Sequence, residues 1–240
     1  MGLTQDDINK IVSELTKLPS VPPSQSRSYG SPAMKILDCI LSLNRNFDSM
    51  VVKRIDAFEA SHPKIKSLAD LNSYIDNSSS KYNLFYNDLD YKDSERADLL
   101  NRTLKWLINE ESKYKGTDET EKLKNWAISV NPQDFQYATI IQGVKIKISV
   151  VDGLGIAGWQ YLRMLFGADT CKPDRHIKDF IKACIGRGIG EIPAIEALHA
   201  AAPLAGLTVR EADRRIWKHM STKAKQKNKS KKTGKSRHCN

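Results

Sequence analysis

Apolar residues recur along this chain at intervals of three and four wherever it is not dominated by proline, serine or charge. Ile8, Ile11, Val12 and Leu15 fall on one face of a helix read over 4–18, with Thr4 as its cap. Ile36, Leu37, Ile40, Leu41 and Leu43 do the same in a helix starting at Ala33, as do Met50, Val51, Ile55 and Phe58 over 47–60. Further helices are read over 67–74, 92–111, 123–130, 134–141, 174–185, 193–202 and 208–220. The longest stretch that alternates with period two is Val144–Val151. The fold class that follows is all-α.

The interruptions define the organisation. LPSVPPSQSRSYGSP, within 18–33, holds four prolines and reads as a linker. With 240 residues, 40% of them hydrophobic, the chain can bury a core in one or two lobes. It has no run of 18 apolar residues and no signal-peptide core at MGLTQDDINKIV, so no membrane is expected. Cys39, Cys171, Cys184 and Cys239 are far apart with no Cys-x-x-Cys, which suggests neither a disulfide framework nor zinc but an intracellular, reduced protein. Of the net charge of +10, residues 218–240 supply nine Lys/Arg with no Asp or Glu, leaving the rest nearly neutral. That tail is expected to be disordered, serving as a solubilising end, a phosphate tether or a nuclear-import signal.

One segment carries chemistry. Val150-Val151 leads into Asp152-Gly153-Leu154-Gly155, and an apolar helix with Trp159, Leu162, Leu165 and Phe166 follows, ending near Gly167. Glycine permits a tight turn, and the N–H groups opening the following helix favour an anion such as a phosphate. Pro173-Asp174 then opens the next helix, with His176 two residues on. Taken alone, Asp174 is a good N-cap, a role compatible with facing a ligand.

This order of parts over about 140–185 resembles the helix-hairpin-helix plus Gly/Pro-Asp motif of the endonuclease-III-like DNA glycosylases. The resemblance implies two helical lobes with a DNA cleft between them. A terminal-helix lobe would comprise 1–17 and 174–220. A six-helix barrel would cover 34–173, with the helix-hairpin-helix near 144–166. Residues 18–33 would link the lobes, and 221–240 would be the tail. The implied activity is a DNA N-glycosylase that flips a damaged, mismatched or modified base out of the duplex and hydrolyses its glycosidic bond.

Residue by residue, the resemblance makes Asp174 the catalytic carboxylate, stabilising oxocarbenium character and orienting water. Gly153 and Gly155 would hold the DNA backbone, with a monovalent cation possible at the hairpin carbonyls. Ala157 stands where bifunctional members carry a lysine nucleophile, so lysine-dependent strand cleavage is not expected. Leu41-Ser42-Leu43-Asn44-Arg45 resembles the segment whose polar side chain fills the hole left by the flipped base, making Asn44 the plug and Arg45 a contact to the orphaned partner; read without the resemblance, they are polar residues at a helix end. Lys172, Arg175, His176 and Lys178 form a basic group suited to phosphates. Trp159 either packs the core or lines the base pocket. No cofactor and no iron–sulfur cluster are expected, and the partner is double-stranded DNA bound by a monomer. Two other readings share these residues: a DNA-binding protein of the same fold without catalysis, and a glycosylase directed at foreign modified DNA.

Overall fold

A computed structural model describes residues 2–22, 29–43, 50–141 and 144–235, with side chains over the same residues except 140–146 and 223–235. The protein is mostly helical and forms two compact units, Met1–Ser26 with Asp169–Asn240, and Arg27–Ala168. No single helix among the described residues is long and apolar enough to cross a membrane.

The first unit joins the two ends of the chain. It contains α1 (Gln5–Thr16), α8 (Arg175–Ile185), α9 (Glu191–Leu204) and α10 (Val209–Lys235). Helix α1 starts in a capping box: Thr4 Oγ1 accepts from the Asp7 N–H, and the Asp7 carboxylate accepts from the Thr4 N–H. Its apolar stripe, with Ile11 and Leu15 fully buried, packs on α8 and α9. Burying each such side chain contributes about 1.5–3 kcal/mol. The Arg187 guanidinium clamps the Asp7 carboxylate with two bonds of 2.9 and 2.7 Å and holds that carboxyl well below the usual carboxylate range. Residues 169–173, read from sequence as the end of the barrel, belong to this unit. Their Asp169 and Lys172 bond to α10. Helix α10 also continues to Lys235, so the first part of the basic tail is helical rather than disordered. Its lysine, alanine and glutamine are good helix formers.

The second unit holds α2 (Pro32–Leu41), α3 (Val52–Ser61), α4 (Leu68–Asp76), α5 (Ser94–Glu111), α6 (Glu119–Ser129) and α7 (Ile156–Leu165). Helix α2 is apolar nearly all round and packs on α3, α4, α5 and α7. Its last carbonyls are satisfied from far away: the Arg96 guanidinium on α5 donates to the carbonyls of Ile40 at 2.7 Å, Leu41 at 3.3 Å and Leu43. Arg96 is itself steadied by Asp93 at 3.2 Å.

The expected helix over 134–141 is absent. Asn131-Pro132 starts a single 3₁₀ turn, Pro132–Phe135, and β1 (Gln136–Ile141) then pairs antiparallel with β2 (Val144–Ser149), Gln136 opposite Ser149 and Ile141 opposite Val144. Tyr, Thr and Ile favour a pleated, half-exposed strand, and pairing with the alternating segment 144–149 overrides any local helical tendency. A strand therefore enters the Gly-Leu-Gly turn. The first helix of the expected helix-hairpin-helix is replaced by a two-stranded ribbon.

Candidate functional site

The turn lies in the second unit and is built from behind. Trp159 is fully buried, stacks on Phe135 with centroids 4.5 Å apart, and meets Trp106 edge-on at 4.7 Å. Its indole N–H donates to Ser149 Oγ at 3.1 Å, and the Ser149 hydroxyl donates to the Leu154 carbonyl at 2.6 Å. Trp159 is thus a core residue that ties β2 to the turn. Gly153 adopts φ +89°, a conformation that disfavours any side chain, and a Cβ there would lie 3.3 Å from Leu99 Cδ1. Gly155 is the N-cap of α7 in an extended conformation, with open space where a Cβ would go and no side-chain cap on the helix. The first N–H groups of α7 are left for water or an anion. Ala157 sits in that first turn.

Arg102 on α5 adds a cation beside the turn by donating to the Asp152 carbonyl at 3.2 Å. It lines a hollow of about 350 Å³ with Lys81, Asp98, Asn101 and Lys105. There Lys81 pairs with Asp98 at 2.7 Å and Lys105 with Asp76 at 3.7 Å, whereas Arg102 has no carboxylate partner among the described residues. Three of the turn's carbonyls already accept hydrogen bonds: Val151 from the Leu154 N–H, Asp152 from Arg102, and Leu154 from Ser149.

Asp174 lies in the first unit, half-buried at the N-cap of α8. Its Oδ1 accepts from the N–H groups of His176 at 2.8 Å and Ile177 at 3.4 Å. Its Oδ2 accepts no hydrogen bond among the described residues. One oxygen fixes the side chain. Pro173 is buried and restrains the approach to the cap.

The loop before Asp174 is tied to α10 in both directions. The Asp169 carboxylate accepts from the N–H groups of Val209 at 3.2 Å and Arg210 at 2.9 Å, capping α10. One turn along α10, the Asp213 carboxylate reaches back to accept from the Lys172 N–H at 2.8 Å. Asp213 is partly exposed as a residue, but protein surrounds its carboxyl, and burial pushes its pKa up to about 7. The Lys172 N–H works against that rise, and the neighbouring Asp174 charge adds to it. Cys171 in the same loop is fully buried, and burial raises its thiol well above the ordinary range.

The cations expected around Asp174 differ in setting. Arg175 is highly exposed and lies 3.8 Å from Asp179, which shares its charge. Lys172, His176 and Lys178 are half-buried near the start of α8. Asn44 and Arg45 lie outside the described residues.

Asp213, Asp169 and Arg102 escaped the sequence reading. Asp213 and Asp169 stand about forty residues from their partners' backbone N–H groups, and no motif spacing links them. Arg102 could have been suspected only as an exposed basic position on α5.

Residues 114–221 match a family described as a domain of unknown function (DUF8548), a span that takes in the turn, Asp174 and Asp213. Comparisons with curated proteins and with solved structures returned no match.

Proposed function

We propose that the protein is a monofunctional DNA N-glycosylase that removes a damaged, mismatched or modified base by hydrolysis. The observation that carries this reading is the division of labour within the Asp174 carboxylate: one oxygen is committed to capping α8, and the other accepts no hydrogen bond among the described residues. A group held by two backbone N–H bonds keeps its direction without being neutralised. Breaking the sugar–base bond develops positive charge on the sugar, and a fixed carboxylate stabilises it while orienting the attacking water. Opposite charges about 4 Å apart gain about 1 kcal/mol in water and about 4 kcal/mol at an effective dielectric of about 20. Most of the benefit therefore arises once DNA excludes solvent.

The turn supports the same reading through its backbone. Gly155 leaves room for a phosphate to approach the uncapped N–H groups of α7, and Arg102 supplies a charge beside them. With alanine at 157 and no Schiff-base lysine there, the product is an abasic site in an uncut strand.

A second reading, a DNA-binding protein without catalysis, is favoured by one observation: a strand enters the turn where the resemblance places a helix. The deciding experiment is base release, followed by mass spectrometry, from genomic, mismatched and modified duplex DNA, with wild type and Asp174→Asn. Asparagine keeps a capping oxygen but no negative charge. Free base from wild type, lost in the variant with DNA binding retained, supports hydrolysis. Binding without base release by either protein supports the second reading.

A further inference from the structure

Asp213 belongs to none of the roles above. A buried carboxyl whose bonding partner is a backbone N–H two residues before Asp174 is placed to control that residue. We propose that Asp213 is the positioning residue of the site, holding the Asp174 loop on α10 and acting as a second carboxylate that shares charge with Asp174. The inference rests on the glycosylase reading for its chemistry, but the coupling between the two acids does not depend on it.

The geometry carries the proposal. Between Asp169 and Asp174 the chain is fixed at both ends of a short loop. Asp169 accepts two N–H bonds from the first turn of α10, and Asp213 accepts one from Lys172. The Lys172 carbonyl in turn accepts the Asp174 N–H at 2.7 Å, so the backbone held by Asp213 is the backbone that aims Asp174. The loop side chains between these anchors are inward and leave little slack: Thr170, Cys171 and Pro173 are all buried, with Thr170 Oγ1 3.2 Å from His199 Nε2. Misplacing a reacting group by about 1 Å costs on the order of 100-fold in rate.

The electrostatics give the role a signature that packing alone would lack. The loop presents Asp174, Lys172 and the buried Cys171 thiol to Asp213, and Arg210 faces it from its own helix; Lys172 and Arg210 favour its ionised form and Asp174 opposes it. With burial the largest influence, Asp213 titrates near neutral pH. Above that midpoint a second negative charge joins the site and favours the cationic sugar of the transition state.

The test uses the full chain with Asp213→Asn, Asp213→Ala and Asp174→Asn. Asparagine can still accept the Lys172 N–H but cannot titrate; alanine can do neither. Side-chain carboxyl ¹³C NMR is expected to show Asp213 with a midpoint near 7 that falls in Asp174→Asn. An ordinary midpoint, or one unmoved by Asp174→Asn, overturns the coupling. In single-turnover base release, wild type is expected to speed up as pH rises through about 7, and Asp213→Asn to lose that limb while keeping its rate at pH 6 within a few-fold. Asp213→Ala is expected to lose about 10- to 100-fold in rate with little change in DNA affinity. Identical pH profiles in wild type and Asp213→Asn, or an unimpaired folded Asp213→Ala, overturn the positioning role. If wild type releases no base from any DNA tried, the glycosylase reading fails, and the NMR titration alone then decides the coupling.

Discussion

The Gly-Leu-Gly turn and the Asp174 loop are both short, both precede a helix, and are held in opposite ways. The turn rests on an apolar wall, with Trp159 against Phe135 and Trp106 behind it and Leu99 beneath Gly153. The Asp174 loop is held mainly by carboxyl side chains bonded to backbone N–H groups, from Asp169, Asp213 and Asp174 itself. On the proposed function, the difference follows from what each would present. A turn offering backbone N–H groups to a phosphate needs only a rigid shape, which packing provides. A loop presenting a charged carboxylate needs its orientation fixed without burying the charge, and hydrogen bonds to N–H groups do that.

That contrast can be broken from either side. Trp159→Ala removes the wall behind the turn and is expected to lower stability by about 3–5 kcal/mol, read by denaturant unfolding. Asp174→Asn is expected to leave stability almost unchanged while cutting base release by about 100- to 10,000-fold, read in single-turnover assays. A large stability loss in the second variant would show that the cap, rather than the chemistry, is what the charge serves.

The polar side also predicts a pH dependence. Asp213 has a folded pKa of about 7, raised above its unfolded value, so the native state holds an extra proton between the two. Its contribution is complete at pH 4 and below, and it is lost as pH rises toward and through 7. Wild type is expected to lose on the order of 2–4 kcal/mol across that window relative to Asp213→Asn, measured by unfolding at several pH values.

Smaller effects sharpen the picture. Gly153→Ala forces a side chain onto φ +89° and toward Leu99, with an expected loss of about 1–2 kcal/mol and weaker DNA binding. Arg102→Ala is expected to leave stability within about 0.5 kcal/mol and to reduce the salt slope of DNA binding by about one, measured by titration at several salt concentrations.

Much of the helical layout was legible because its signals are local. Thr4 and Asp174 are caps whose bonding partners lie within three residues, and the stripes of α1 and α2 are visible as spacing alone. The ribbon was not legible. Residues 136–141 look helical or extended according to their neighbours, and only pairing with 144–149 decides the matter. Trp159 admitted two roles by sequence, because an aromatic that packs and one that lines a pocket have the same spacing. Arg96 closing the end of α2 from α5, and Asp213 holding Lys172 from α10, are bonds across some forty to fifty-six residues.

By itself, then, the amino-acid sequence determined where most helices begin and which of their faces seek a core, since caps and periodicity act over one or two turns. It also settled that position 157 has no amine. Only the tertiary structure decided that a strand leads into the glycine turn, that Trp159 is interior, and that the Asp213 carboxylate accepts from the Lys172 N–H. Strand pairing, ring stacking and buried charge are properties of groups brought together by folding, and no single stretch of chain contains them.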